Sequence, residues 1–217
     1  MRRLTPMRSL HVAISALLAS TALGCPAAQG RTDEQFSMGL GAPLAPFDSC
    51  MIYTAREPSS SASHVAACTP MGSVLRGTNP MAPPVGGTHY DQWANFERYT
   101  APVPWGFLVH AMEHGAMVLA YRCETPDACT STRAQLEAWI DTRPVDPLCR
   151  GDIRRRFVLV PEPALEWPIA VLAWENIYMA TCVDTATLDR FADAHYAQGP
   201  ENFCADGVNR AATGWCN

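Results

Sequence analysis

The sequence predicts an α+β or α/β fold, in which helices cover a small mixed β-sheet behind a loop-rich, disulfide-linked N-terminal part. Two observations support this fold class. The second half of the chain alternates apolar runs with amphipathic segments in the order β-α-β-β-α, whereas residues from Cys50 to Pro104 are rich in Pro, Gly and Ser. The latter composition predicts mainly loops, held in place by Cys50 and Cys68.

The elements of the second half are taken in chain order. A short helix over 107–114 is expected to close at Gly115, because glycine accepts the left-handed conformation at a helix end. The apolar run 117–121 predicts a buried strand, and the next predicted elements are a helix over 127–141 and strands over 157–160 and 169–174. Asp184 is the expected N-cap of a last helix, on whose apolar face His195 is a packing residue.

The N-terminus has the organisation of an export signal. Arg2, Arg3 and Arg8 precede an uncharged apolar run of twelve residues, 12–23. A transmembrane helix needs roughly 20 residues, so a cleaved signal is predicted rather than an uncleaved anchor. The predicted organisation is a signal peptide over 1–24, a flexible tether over 25–49 and one globular domain over 50–217.

Cys25 is the predicted site of lipid attachment. The residues 21–25, Thr-Ala-Leu-Gly-Cys, resemble a lipobox, in which a small residue precedes the cysteine that receives diacylglycerol. Ala22 stands where leucine is usual, so ordinary cleavage a few residues later is the alternative. The expected location is the cell envelope, outside the cytoplasm on the periplasmic or outer-surface side, with the membrane as a partner through the lipid anchor.

The other eight cysteines predict disulfides. They are scattered through the exported part of the chain at Cys50, Cys68, Cys123, Cys129, Cys149, Cys182, Cys204 and Cys216. An even number in an exported chain fits four disulfides, and the sequence leaves the pairing open. A thiolate metal site is the rival interpretation, but no two cysteines have the spacing C-x-x-C.

The charge balance argues against nucleic acid as a partner. The chain has no lysine, and removal of the signal leaves 13 basic against 21 acidic residues, a net charge near −8. An acidic surface repels phosphate groups. The only basic run, Arg154 to Arg156, is expected to be a solvated strand end.

The strongest chemical signal is the string His110-Ala111-Met112-Glu113-His114. On a helix, residues four apart lie on one face, so both imidazoles could reach the same cation. Imidazole is a good ligand for zinc or copper, and the string matches the inverted zinc-peptidase pattern H-x-x-E-H. The alternative is a pair of helix histidines hydrogen-bonded in the core.

Two further histidines precede this helix. His64 lies before Val65 in a loop, and His89 lies in the turn-rich loop 83–90. With the block 108–115, Ala173-Trp174 and Gly199-Pro200-Glu201, these segments resemble a bacterial family of domains of unknown function, numbered 3105. Departures such as Val85-Gly86 and Ala111-Met112 leave the imidazoles in place. The resemblance implies that His64, His89, His110, Glu113 and His114 belong to one recurring pattern, and it implies no activity.

The predicted function is the binding of one transition-metal ion, zinc or copper, by His64, His89, His110 and His114. Glu113 would be a fifth ligand or would orient a ligand. Four imidazoles would close a tetrahedral zinc site, which favours a structural or metal-handling role over an enzyme.

Two alternatives remain. The first is a zinc hydrolase with Glu113 as the catalytic base, which needs a further carboxylate ligand such as Glu162, Glu166 or Glu175. The second is a metal-free extracytoplasmic interaction module.

Overall fold

The computed structural model describes residues 32–59, 62–71 and 82–216. Along this part of the chain the strands are β1 (Thr32–Met38), β2 (Met51–Arg56), β3 (His64–Val65), β4 (His89–Tyr90), β5 (Met117–Tyr121), β6 (Phe157–Pro161), β7 (Ile169–Ala173) and β8 (Asn176–Ala180). The helices are α1 (Trp105–Glu113), α2 (Pro126–Thr142) and α3 (Thr185–His195).

Six of these strands form one mixed sheet in the order β1-β2-β8-β7-β5-β6. Neighbouring strands are antiparallel except β5 and β6, which run parallel. The strands β3 and β4 form a separate two-stranded parallel sheet. The predicted α+β class with a mixed sheet is thus confirmed.

Helices cover both faces of the large sheet. On one face, α1 packs in a core cluster with Val118 and Ala120 of β5. On the other face, α2 and α3 pack in a second cluster with Met117 and Leu119 of the same strand. Because successive side chains of a strand point to opposite faces, the fully buried β5 serves both cores. The small sheet contacts α1 through β4, and this contact positions the site described below.

The predicted elements of the second half are present, and their caps explain where they begin and end. Gly115, with φ +82°, follows α1. The hydroxyl of Thr125 accepts a hydrogen bond from the Ala128 amide at the start of α2. The carboxylate of Asp184 accepts one from the Thr187 amide at the start of α3, as predicted.

The strand β1 corrects the expectation of a flexible tether over 25–49. It pairs antiparallel with β2, and the amide of Gly39 then donates to the Cys50 carbonyl. The amides of Leu40 and Gly41 donate to the Asp184 carboxylate. Backbone pairing and contacts of Glu34 and Phe36 with Tyr53 hold this edge strand. Residues 33–38 are exposed, so no hydrophobic periodicity marks the strand in the sequence.

Besides β3 and β4, which lie in segments expected to be loops, two more strands of the large sheet were not predicted. β2 lies inside the segment expected to be loops, and it buries Ile52, Tyr53 and Ala55. β8 follows β7 through a two-residue turn in which Glu175 has φ +60°. This turn lacks the glycine or asparagine that usually marks a hairpin, so β8 could not be separated from β7 by turn chemistry.

The eight cysteines form four disulfides, which confirms the prediction that they are paired. The pairs are Cys50–Cys182, Cys68–Cys216, Cys123–Cys129 and Cys149–Cys204. Such a set of disulfides indicates an extracytoplasmic location. The two pairs that include Cys204 and Cys216 fix the C-terminal tail.

The predicted signal peptide and the lipid-attachment site Cys25 lie outside the described residues. Within the described residues, no helix combines the length and the hydrophobicity that crossing a bilayer requires.

Candidate metal centre

The small sheet places two histidines side by side. In the parallel pairing of β3 with β4, His64 is opposite His89, so both side chains point to the same face. The His89 amide donates to the Ser63 carbonyl and fixes this register. The His89 ring is fully buried, whereas 41% of the His64 side chain is exposed. His89 therefore lies on the buried side of one site, and His64 lies on its solvent-exposed side.

The helix α1 supplies the other two groups. His110 and Glu113 are three residues apart, which places them on one face of the helix. Gly106 lets this helix approach β4 closely, since a Cβ atom there would lie 2.4 Å from the Tyr90 ring. This close approach of α1 to β4 brings the second half of the helix, with His110 and Glu113, next to His89.

The carboxylate of Glu113 lies among three imidazoles. Its Oε2 atom is 3.0 Å from Nε2 of His64, 2.9 Å from Nε2 of His89 and 3.8 Å from Nε2 of His110. One ligand atom from each of the four residues lies within 4.8 Å of the others, a grouping that could hold a metal ion. We call His64, His89, His110 and Glu113 the histidine cluster.

Backbone carbonyls orient the two buried rings. Nδ1 of His89 is 2.7 Å from the Gly87 carbonyl oxygen, and Nδ1 of His110 is 2.6 Å from that of Tyr90. A carbonyl only accepts hydrogen bonds, so each Nδ1 carries the proton. The other nitrogen, Nε2, faces the histidine cluster. In neutral His110 it carries the lone pair, whereas in His89 it donates a hydrogen bond to the Glu113 carboxylate, and a metal ion would replace that proton. Ligation through Nε2 with the proton on Nδ1 is the arrangement that a metal-ligating histidine adopts.

The electrostatics keep His110 neutral. Burial lowers the pKa of its imidazole to about 4, although the hydrogen bond to the Tyr90 carbonyl opposes this shift. The charges of His89 and His64 lower this pKa further. Burial raises the pKa of the Glu113 carboxyl, but hydrogen bonds and charges from His64 and His89 outweigh that effect and hold it below its ordinary value. The cluster thus combines an anion with an available imidazole lone pair.

The structure places His114 outside the histidine cluster, which corrects the expected ligand set. Helix α1 ends at Glu113, and His114 is its C-cap. The His114 ring packs against Phe203, with centroids 3.9 Å apart, and against Trp93 at 4.5 Å. Although the His110 and His114 rings lie 4.6 Å apart, the His114 ring also packs on these aromatic neighbours and does not join the cluster.

The other candidates lie elsewhere in the described structure. His195 packs on Phe191 of α3, with centroids 4.7 Å apart, and does not join the cluster. None of the three downstream carboxylates that the hydrolase hypothesis requires joins it either, namely Glu162, Glu166 and Glu175. Glu175 instead accepts hydrogen bonds from Ser59 and Arg56 at the β7–β8 turn.

Sequence reasoning missed the groups that orient and flank the histidine cluster. The carbonyls of Gly87 and Tyr90 leave no signal in the sequence, since every residue has one. Trp93 is tilted against the His110 ring, with centroids 5.2 Å apart. Trp174 packs edge-on against the His89 ring, with centroids 5.9 Å apart. The proximity of a tryptophan to a histidine in the chain, as for Trp93 after His89, was the only available hint.

Fold and site together define an α+β protein, disulfide-bonded, with a group of three histidines and one glutamate that is compatible with metal binding. Residues 77–206 match the family described as "Protein of unknown function (DUF3105)". This match covers 130 of the 217 residues, so the chain belongs to that family. Neither a search of curated proteins nor one of solved structures found a match.

The family match bears on most of the site. It includes His89, His110, Glu113 and His114, and it begins after His64. The family assignment thus confirms the resemblance seen in the sequence, and it adds no activity.

Proposed function

We propose that this protein binds one transition-metal ion outside the cytoplasm through His64, His89 and His110, with Glu113 as the fourth ligand. Its role would be structural or in metal handling. The observation that carries the proposal is the orientation of the two buried rings. Their Nδ1 protons are engaged by backbone carbonyls, so both Nε2 atoms are directed at the same carboxylate oxygen. Two oriented imidazole nitrogens that converge on one carboxylate in a buried site can hold a cation, which would take the place of the proton between His89 and Glu113.

The distances support a small tetrahedral ion. Ligand bonds of about 2.0–2.1 Å put neighbouring ligand atoms of a tetrahedron about 3.4 Å apart. The distances of 2.9, 3.0 and 3.8 Å from Glu113 Oε2 to the three Nε2 atoms lie on both sides of that value. Small side-chain rotations would therefore be enough to bring the four ligands around one ion.

The ligand chemistry favours zinc or copper. Imidazole and carboxylate suit these ions, and among the described residues no cysteine joins the cluster to favour copper(I). Met112 is fully buried in the core cluster of α1, which supports its role as a packing residue. The exposed part of His64 offers the ion a path to the other three ligands.

A zinc hydrolase is the second candidate. With His114 outside the cluster, three imidazoles could hold the ion, and a fourth position could then take water activated by Glu113. The position of Glu113 Oε2 between His64 and His89 favours a ligand over a base. The inverted peptidase arrangement is disfavoured, because its second histidine and its downstream carboxylate do not join the cluster.

The proposed location is the envelope membrane, through diacylglycerol on Cys25. The export signal, the lipobox-like residues 21–25 and the four disulfides support it. Nucleic acid is not a proposed partner, because the mature chain is acidic. Cys25→Ala should move the protein from the membrane fraction to the soluble fraction, and unchanged membrane retention would contradict the lipid anchor.

The metal proposal is tested on oxidised, mature protein that carries no histidine tag. After equilibration with zinc and removal of free ion, His89→Ala and His110→Ala should each lower the zinc content, because each removes a ligand. His195→Ala is the matched control and should leave it unchanged. A wild-type protein that holds no more zinc or copper than His110→Ala would contradict both metal-dependent functions. The metal-free interaction module would then be the remaining hypothesis.

Glu113→Gln separates the two metal-dependent functions. If Glu113 is a ligand, the substitution should weaken zinc binding. If it is a catalytic base, zinc should stay bound while any hydrolytic turnover is lost.

A further inference from the structure

His114 is a buried polar side chain without a protein partner. The residue is 2% exposed, and neither of its ring nitrogens finds a hydrogen-bond partner among the described residues. Leaving a buried donor or acceptor unpaired is unfavourable, because the group gives up its hydrogen bonds to water. An imidazole in this state is therefore a candidate ligand for something other than the protein itself.

The Glu201 carboxylate lies near a ring nitrogen of His114. Its Oε2 atom is 3.4 Å from Nδ1 of His114, and half of its side chain is exposed. A charge-assisted hydrogen bond would measure about 2.7–2.9 Å. Two ligands of a tetrahedral ion with bonds of about 2.0–2.1 Å lie about 3.4 Å apart. The separation thus fits two ligands of one ion better than a hydrogen bond.

The surroundings hold this pair in place. The Glu201 amide donates to the Glu113 carbonyl at 3.0 Å, which ties Glu201 to the end of α1. The His114 carbonyl accepts a hydrogen bond from the buried guanidinium of Arg156 at 2.9 Å. Trp93 and Phe203 flank the His114 ring. One ligand is therefore fixed and buried, and the other is fixed at the backbone and open to solvent.

We propose that His114 and Glu201 form a second metal site, which takes a divalent ion of the same class, zinc or copper(II). Two protein ligands leave the remaining positions to water, so this site should bind more weakly than the histidine cluster. It shares no side chain with that cluster, and each site can be removed without the other. The two sites are nevertheless adjacent, because the His110 ring lies 4.6 Å from the rings of both His64 and His114.

Zinc titration of the oxidised mature protein tests the second site. Wild-type protein should hold about two ions per chain at a high concentration of free zinc and about one at a low concentration. The reason is that the histidine cluster offers four protein ligands, whereas the second site offers two. Glu201→Gln and His114→Phe should each remove the weaker ion and keep the tighter one. Glu124→Gln is the matched control, since Glu124 is similarly exposed and paired with Arg122.

The outcomes separate the two sites. If Glu201→Gln, which changes only a half-exposed side chain, binds zinc as the wild type does at every concentration, the second site is refuted. If His89→Ala removes the tighter ion in that same experiment, the proposed metal binding by the histidine cluster stands although the second site does not. If His89→Ala removes nothing while Glu201→Gln removes an ion, the second site stands alone. Wild-type protein that binds no zinc would refute both.

Discussion

Protonation of single histidines decides whether the site can accept a metal ion. Burial lowers the pKa of His110 from 6.5 to about 4 in the absence of metal. Between these values the unfolded chain holds a proton on this ring and the folded chain does not. The contribution of His110 to the free energy of unfolding is therefore fully present above about pH 6.5 and is lost as the pH falls toward 4.

We expect the His110 ring of metal-free protein to titrate near pH 4, with the proton of the neutral form on Nδ1. Nitrogen-15 NMR of the imidazoles in the presence of a chelator measures both properties. His110→Gln should also flatten part of the fall in urea stability between pH 6.5 and pH 4. A ring that titrates near 6.5, or that carries its proton on Nε2, would contradict the assigned orientation.

Arg156 shows at the residue scale what composition cannot reveal. The run Arg154 to Arg156 was expected to be solvated, yet Arg156 is 1% exposed. Its guanidinium donates to the Asp146 carboxylate at 2.7 Å and to the His114 carbonyl at 2.9 Å. A buried arginine needs partners from distant parts of the chain, and one sequence does not show which residues those are.

At the scale of elements, the contact of α1 with β4 determines the geometry of the histidine cluster. Gly106→Ala would place a Cβ atom 2.4 Å from the Tyr90 ring, so α1 or β4 must shift. The substitution should cost about 1–3 kcal/mol of stability. It should also weaken zinc binding, because His110 donates to the Tyr90 carbonyl across this contact.

Gly151→Ala is the control for Gly106→Ala. It strains a residue at φ +60° but would meet no atom within 4 Å, so it should lower stability without affecting zinc affinity. Zinc titration and thermal unfolding of both variants provide the comparison. Wild-type zinc affinity in Gly106→Ala would show that the α1–β4 contact does not set the site.

Elements with a local signal could be predicted, and elements held by distant pairing could not. The run 117–121 is buried throughout, and α3 has both a capping aspartate and an apolar face. The edge strand β1 exposes the side chains of residues 33–38, so no apolar pattern predicted it. The site residues show the same difference between local signals and distant pairing. The spacing of His110 and Glu113 on a helix is a local signal, but the alignment of His64 with His89 arises from a two-residue parallel pairing.

At the scale of the whole molecule, disulfides hold the segment that carries His64. Residues 62–71 attach to β4 and, through Cys68–Cys216, to the C-terminal tail. The double substitution Cys68→Ala and Cys216→Ala should weaken zinc binding, because the segment that carries His64 would lose its covalent link to the C-terminal tail. The loss of stability could reach about 5 kcal/mol for this long loop, against about 2 kcal/mol for the short Cys123–Cys129 loop.

The matched control for this variant is the double substitution of Cys123 and Cys129, which close a loop at the start of α2. It should leave zinc affinity unchanged. Zinc titration at a temperature where circular dichroism shows both variants folded measures the difference. Equal zinc affinities would mean that the Cys68–Cys216 disulfide does not position His64.

The most direct test of the metal centre is X-ray absorption spectroscopy at the zinc edge. The sample is mature, oxidised, untagged protein loaded with less than one zinc ion per chain, which populates the tighter site. We predict a four-coordinate ion with about three imidazole nitrogens and one carboxylate oxygen at about 2.0–2.1 Å. His89→Ala should lose one imidazole from this shell. A shell of sulfur, or of oxygen with at most one imidazole, would contradict binding by His64, His89, His110 and Glu113.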